Sequence, residues 1–194
     1  MDAPVPLFPL HSVLFPDGLL PLRIFEPRYL DMVSRCLKQG HGFGVCLIRE
    51  GKEVGTAAQP YSVGTLAEIV DWQRLEDGLL GLTVRGGQRF SIRSSRIEPD
   101  QLSLAEIEPF EDERQVPLSD EFGPLADLLS QLAGVLGQAA ALPSGPHNDA
   151  GWVSWRLAEL LPLSWEDKQQ LLEVVDPLRR LALLGDAIER LREG

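Results

Sequence analysis

The sequence contains few residues of the kinds that hold metals or act as nucleophiles. Its 194 residues include two cysteines, Cys36 and Cys46, and three histidines. The cysteines lie in apolar surroundings and form no CxxC pair, so we expect buried, reduced thiols. The histidines, His11, His41 and His147, have no second ligand close by in sequence, whereas zinc needs about four nitrogen or sulfur ligands. The sequence therefore predicts no metal site.

Motifs for phosphate binding and for catalysis are also absent. A P-loop would require glycine five positions before Gly51-Lys52 and Ser or Thr after it, but the sequence has Cys46 and Glu53 there. No G-x-G-x-x-G opens a helix, and no serine lies in a G-x-S-x-G elbow. Each of the three lysines has a polar local setting, which argues against a Ser-Lys dyad. We therefore expect no catalytic residue and no cofactor.

Long apolar runs are missing as well. No uncharged apolar run approaches the ~18 residues of a membrane-spanning helix. The N-terminus has no basic leader and is interrupted by Pro4, Pro6 and Pro9. We therefore expect a cytoplasmic protein that makes no membrane contact.

Negative charge is abundant. The net charge is -11, which opposes binding to nucleic acid. From Glu98 to Asp127, ten carboxylates accompany a single base, Arg114. We interpret this stretch as a solvated connector, and a surface for a basic partner is the alternative.

The character of the chain changes near residue 115. Short β-rich runs broken by Gly and Pro precede this point, and runs with helical period follow it. We predict an α+β protein with a β-rich part over 1–115 and a helical part over 116–194 packed on it, as one continuous domain. The β-rich part is predicted to be a bent antiparallel sheet or small barrel with Val5–Leu10 as an edge strand, because its prolines cannot donate hydrogen bonds.

Turns and caps define the elements in more detail. Pro16-Asp17-Gly18 predicts a turn in which glycine takes positive φ, and Asp77-Gly78 predicts a hairpin. Gly86-Gly87 predicts a second tight turn. Glu26-Pro27 opens a helix, with proline at the first helical position. In the helical part, the expected helix starts are Asp149, Ser164 and Asp176.

The opening segment PLFPLHSVLFPDGLLPLRIFEPRY, Pro6 to Tyr29, resembles the start of the Lon protease N-terminal domain family. Further similar segments follow in the same order, at 43–45, 63–67, 77–78, 87–92, 155–159, 161–162, 168–169 and 171–172. The resemblance implies a PUA-like pseudo-barrel followed by a helical bundle. It also implies a non-catalytic module that binds substrate polypeptide. In full Lon proteases this region precedes an ATPase module and a Ser-Lys protease module, and we expect neither in a chain that ends at Gly194.

Most residues of the opening segment are expected to maintain the fold: Pro9, Pro16, Gly18, Pro21, Phe25, Glu26, Pro27, Arg28 and Tyr29. Three aromatic residues are the candidates for contact with a bound peptide: Phe15, Phe25 and Trp72. We expect the peptide to bind in a groove between sheet and helices, with pairing at a free strand edge as an additional contribution.

Three alternatives remain open. The chain could be an adaptor that docks a folded protein, or a peptidase by family inheritance only, or a PUA-like RNA binder. The client and the oligomeric state do not follow from the sequence.

Overall fold

The computed structural model describes residues 4–136 and 145–193. They divide into two compact units, Met1–Phe110 and Glu111–Gly194. The first unit contains β1 (Val5–Leu10), β2 (Leu19–Ile24), α1 (Pro27–Gln39), β3 (Phe43–Glu50), β4 (Gln59–Arg74), β5 (Leu80–Ile97) and β6 (Ser103–Pro109). The second contains a short 3-10 helix (Asp120–Phe122), α2 (Gly123–Leu136), α3 (Ala150–Leu160), α4 (Trp165–Glu173) and α5 (Pro177–Glu193). The predicted α+β class is confirmed. The predicted packing of residues 116–194 on the β-rich part stays a prediction.

The first unit is one strongly bent six-stranded sheet in the order β2-β5-β4-β3-β1-β6. Strand β5 is long enough to pair with β2 along its first half and with β6 along its second half. Within the described residues β2 pairs with β5 alone, so the sheet is not a closed barrel. One edge of β2 is therefore free.

Strand β1 differs from its prediction in two ways. It pairs with β3 and with β6, so it is not an edge strand. Its pairing with β3 is parallel, whereas an antiparallel sheet was predicted. The connection from β1 to β3 runs through β2 and α1, and a crossover of this length is what parallel strands require. Proline is tolerated in the antiparallel pairing of β1 with β6 because opposite residues alternate between pairs that exchange hydrogen bonds and pairs that do not. A proline in a pair of the second kind removes no hydrogen bond between the strands.

Helix α1 covers the main apolar core of the first unit. It begins at Pro27, as the sequence predicts, and ends before Gly40, whose φ of 69° is left-handed. Its buried face packs against side chains of the sheet, and this core consists of Phe8, Leu10, Leu14, Leu22, Ile24, Tyr29, Met32, Val33, Cys36, Phe43, Val45, Ala67, Leu82, Val84 and Leu102. The core thereby fixes the orientation of β2 and of the first turn of α1.

The predicted tight turn at Gly86-Gly87 is wrong, because both glycines lie inside β5. The turn at Phe15–Gly18 crosses the strand here: the Asp17 N–H donates to the Gly86 carbonyl at 2.7 Å, and the Gly86 N–H donates to the Gly18 carbonyl at 2.8 Å. A Cβ on Gly86 would lie 2.0 Å from the Phe15 carbonyl oxygen. The glycine therefore permits a close backbone crossing. In the crossing turn, positive φ occurs at Asp17 and not at Gly18.

The helix starts of the second unit follow the predicted caps. The Asp149 carboxylate accepts the Trp152 N–H at 2.9 Å, and the Ser164 hydroxyl accepts the Asp167 N–H at 3.0 Å.

Arg180 is buried in the interior of the second unit. Its guanidinium donates to Glu113 at 2.6 Å and lies 3.2 Å from the centroid of the Trp155 ring. This contact ties the acid-rich connector to α5.

The crossing at Gly86 predicts opposite effects for two glycine substitutions. Gly86→Ala should lower the free energy of unfolding by about 2–3 kcal/mol, because the new methyl group overpacks the crossing. Gly185→Ala should raise it by about 0.5–1 kcal/mol, because that glycine lies inside α5 with nothing within 4 Å of the added Cβ. Urea unfolding followed by circular dichroism measures both. Equal effects for the two variants would contradict the crossing.

Candidate functional site

A groove of about 350 Å³ runs along β2 in the first unit. One wall is formed by five consecutive residues of β2, from Leu20 to Ile24. The remaining lining comes from β1, the start of α1 and the loop after β3, and consists of Phe8, Leu10, Ser12, Phe25, Glu26, Tyr29, Glu53 and Val54. Most of this lining is apolar.

The consecutive residues show which part of β2 borders the groove. Side chains alternate between the two faces of a strand, so a pocket on one face would be lined by every second residue. Here Leu20, Pro21, Leu22, Arg23 and Ile24 all line it. The groove therefore follows the free edge of the strand, where the backbone itself is accessible.

The opposite wall is the second half of β1. Strand β6 pairs with β1 only at Val5, Pro6 and Leu7. From Leu7 to Leu10 the partner is β3, on the other side. Phe8 and Leu10 line the groove beyond the end of the β6 pairing. The groove is thus a gap between the edge of β2 and the half of β1 that β6 does not cover.

The exposed loop 51–58 forms the rim and is held by hydrogen bonds to carboxylates. Glu26 Oε1 accepts the Gly55 N–H at 2.9 Å. Glu53 Oε1 accepts the His11 N–H at 2.6 Å. The loop contains left-handed glycines at Gly51 and Gly55, with φ of 112° and 95°. These contacts place Val54 against the groove.

Glu26 links the loop to the start of α1. The Arg28 side chain is 5% exposed, and it donates to Glu26 Oε2 at 2.8 Å and to the Gln101 carbonyl at 2.7 Å. Glu26 and Arg28 therefore form an ion pair. Glu26 is the residue before α1, but its carboxylate makes no capping hydrogen bond and serves Arg28 and Gly55 instead.

Tyr29 contributes a polar group to the groove lining. Its ring packs edge-on against Phe8 with centroids 4.3 Å apart, and the Arg28 guanidinium carbon lies 4.5 Å from its ring centroid. Burial raises the pKa of the Tyr29 hydroxyl to about 12; Arg28 opposes the rise, and Glu26 and Glu53 add to it. The hydroxyl is therefore neutral at physiological pH. It has no hydrogen-bond partner in the described part of the chain.

The charges at the rim are almost balanced. Arg23 forms an ion pair with Asp77, and Glu26 forms one with Arg28. Glu53 has no cationic partner within residues 4–136 and 145–193. One negative charge therefore remains at the rim of an otherwise apolar groove.

The three candidate contact residues lie in different environments. Phe25 is 50% exposed and lines the groove. Trp72 is 62% exposed but does not line the groove. It lies on β4 opposite Leu82 of β5, beyond the part of β4 that pairs with β3. Phe15 is 1% exposed, so its ring offers no contact surface. Of the three, the structure brings Phe25 alone to the groove.

Several groove residues were not assigned to a site from the sequence. Pro21, Glu26 and Tyr29 were expected only to maintain the fold, and Val54 was not singled out. The available signal was the apolar run Leu19–Phe25, in which Arg23 is the single charged residue. The contribution of Val54 depends on the loop contacts and could not be predicted from local sequence.

Lys168 is less polar in its setting than the sequence suggested. It is half-buried, and burial lowers the pKa of its ammonium group. Its Nζ donates to the Glu159 carbonyl at 3.1 Å. The nearby Ser164 hydroxyl is engaged with Asp167. Among the described residues, no serine hydroxyl contacts this lysine.

No helix in the described ranges is long and apolar enough to cross a membrane. Within the same ranges, no cluster of three or more His, Cys, Asp or Glu side chains could hold a metal ion.

The fold is that of Lon N-terminal domains. The chain is similar to the solved structure of a Lon N-terminal domain protein from Xanthomonas campestris, with 40% identity and a TM-score of 0.80 over 94% of this chain and 97% of that one. The N-terminal domain of the Mycobacterium avium complex Lon protease shares the fold, at 20% identity and a TM-score of 0.65, over 95% of this chain and 97% of that one.

The sequence comparisons agree. The family described as the ATP-dependent protease La (LON) substrate-binding domain matches residues 4–190. The Lon protease of Anaeromyxobacter dehalogenans is 30% identical over the whole chain. The chain belongs to the family of Lon substrate-binding domains. It spans about a quarter of the length of that protease, 24% of it, and an equal share of Lon protease 2 from Myxococcus xanthus, to which it is 27% identical over 97% of this chain.

The two cysteines provide a test for activated nucleophiles. Burial raises the pKa of the Cys46 thiol to about 12, and burial, partly offset by Arg35, raises that of Cys36. At pH 8, the Cys46 thiol of the native protein should react with a thiol reagent at least about a hundredfold more slowly than in urea-unfolded protein, and the Cys36 thiol should also react more slowly, because the thiolate is the reacting form. Rapid native labelling of either cysteine would contradict this.

Proposed function

We propose that this chain binds polypeptide through the groove along β2 and does so without catalysing a reaction. The observation that carries the proposal is the apolar gap beside a free strand edge, in a chain that belongs to the Lon substrate-binding domains. An extended polypeptide can satisfy both features, because its side chains enter the gap and its backbone meets an unpaired backbone.

The proposed binding is weak and tolerant of sequence. A flexible chain loses conformational entropy when it is ordered, which reduces the affinity. The apolar lining rewards burial of aliphatic and aromatic side chains without fixing their identity. Phe25 and Val54, both half exposed at the rim, are the side chains that gain most burial from a bound chain.

Charge and side-chain chemistry support a polypeptide ligand over other ligands. The net charge of -11 disfavours nucleic acid, and the sequence has no P-loop. Lys168 binds a backbone carbonyl, and both thiols have raised pKa values. We therefore propose a non-catalytic role in the cytoplasm.

Fluorescence anisotropy with dye-labelled peptides from an unfolded protein tests the proposal. Phe25→Ala should weaken binding about five- to tenfold, because part of a phenyl group no longer becomes buried. Val54→Asp should weaken it further, because a second carboxylate beside Glu53 would lose hydration. Circular dichroism confirms that each variant is folded.

Trp165→Ala is the matched control. This side chain is also 50% exposed, but it lies on α4 in the second unit. Its removal should leave Kd within about twofold. An equal loss for Trp165→Ala and Phe25→Ala would move the binding surface away from the groove. Absence of saturable binding up to millimolar peptide would refute the proposed function, and retention of RNA at physiological salt would favour the nucleic-acid alternative.

A further inference from the structure

The edge of β2 has the features of a site for an added strand. Its neighbour on one side is β5, with a continuous register from Leu19↔Arg85 to Ile24↔Leu80. On the other side lies the groove, lined by consecutive residues of the strand. A strand of six residues is about 20 Å long, so its edge can accommodate an extended segment of five or six residues.

Pro21 indicates which backbone groups face the groove. Proline in a sheet lies on edge strands with its missing N–H on the open side. Backbone groups alternate between the two sides of a strand, so Leu19, Pro21 and Arg23 face the groove and Leu20, Leu22 and Ile24 face β5. The open edge then offers the N–H groups of Leu19 and Arg23 and three carbonyls.

The side chains of an added strand would also alternate. Leu22 and Ile24 are buried on the core face of β2. Every second side chain of the added strand would lie beside them, between Leu22 and the β1 residues Phe8 and Leu10. The intervening side chains would join Pro21 and Arg23 on the exposed face. This arrangement selects apolar residues at every second position.

Two polar groups supplement the pattern. Tyr29 is 6% exposed and lines the groove, and its hydroxyl has no partner among the described residues. It can therefore hydrogen-bond a backbone group of the bound segment. Glu53, the rim carboxylate without a cation, favours a Lys or Arg in the segment near the loop 51–58.

We propose that the ligand of this groove is an extended polypeptide segment with apolar side chains at every second position, added to the free edge of β2 as a further strand. The inference rests on the polypeptide binding proposed above and specifies its mode. It distinguishes this domain from one that accepts any apolar chain or an amphipathic helix.

Labelled eight-residue peptides of one composition test the period of the ligand. One peptide alternates Val or Ile with Lys or Ser, and its partner has the same residues at helical spacing. The alternating peptide should bind at least about tenfold more tightly, because only it places all its apolar side chains in the gap.

Backbone methylation tests the strand pairing. Two versions of the alternating peptide carry N-methyl groups either on the apolar or on the polar residues. One version should lose about tenfold in affinity and the other less than about threefold, because only one set of N–H groups points to β2. The weakened version also reports the direction of the added strand, since loss on the polar residues means antiparallel pairing.

Tyr29→Phe supplies a test from the protein side, because it keeps the ring and removes the hydroxyl. It should weaken the alternating peptide about three- to tenfold without changing the urea unfolding midpoint. Tyr61→Phe is the matched control, because Tyr61 lies on β4 and does not line the groove, and it should leave Kd unchanged.

The outcomes separate the two proposals. If no peptide binds, the proposed function itself fails. If both peptides bind equally, or if both methylated versions bind like the parent, polypeptide binding stands and strand addition is refuted.

Discussion

The close crossing of the Phe15–Gly18 turn over Gly86 is the contact on which the arrangement of the first unit depends. Two backbone hydrogen bonds hold it, and a Cβ on Gly86 would lie 2.0 Å from the Phe15 carbonyl oxygen. The turn leads directly into β2, so the crossing determines where that strand starts on β5. The register that follows brings Leu22 opposite Leu82 and Ile24 opposite Leu80. The position of the groove is therefore set by a glycine that lies outside it.

The gap beside β2 is a consequence of strand lengths. Strand β6 is short and pairs with only the first half of β1, while β5 is long enough to pair with both β2 and β6. Phe8 and Leu10 thus face β2 across an interval that β6 does not fill. The carboxylate of Glu26 then binds both Arg28 and the loop 51–58, which closes one end of the interval. The groove is a part of the sheet that lacks a strand.

Short sequence patterns predicted where helices start. The features that they did not predict depend on contacts between residues far apart in the chain. Pro27, Asp149 and Ser164 predicted helix starts because caps and proline act within a few residues. The resemblance of Pro6–Tyr29 to the Lon N-terminal family supplied the fold class, which the comparisons confirm. The parallel pairing of β1 with β3 and the role of Gly86 depend on residues far apart in the chain. The position of the groove along β2 could not be predicted for the same reason. Phe25 is 50% exposed, whereas Phe15, only ten positions earlier, is 1% exposed.

A free strand edge next to apolar side chains can pair with other chains and lead to aggregation. The residues on the edge of β2 therefore determine which chains can pair with it. Pro21 removes one donor from the middle of the edge, and Arg23 places an ion pair with Asp77 beside it. Both devices weaken pairing with a second copy of β2, because two such edges would oppose proline to proline or arginine to arginine. They weaken pairing with an alternating apolar segment much less, since that segment supplies its own donors and need not place a like charge opposite Arg23. The edge therefore disfavours pairing with a second copy of β2 and permits pairing with a chain of different composition. A binding site for transient, varied polypeptides requires this asymmetry. Its affinity for a bound segment must exceed its affinity for a second copy of the domain, without requiring one particular sequence.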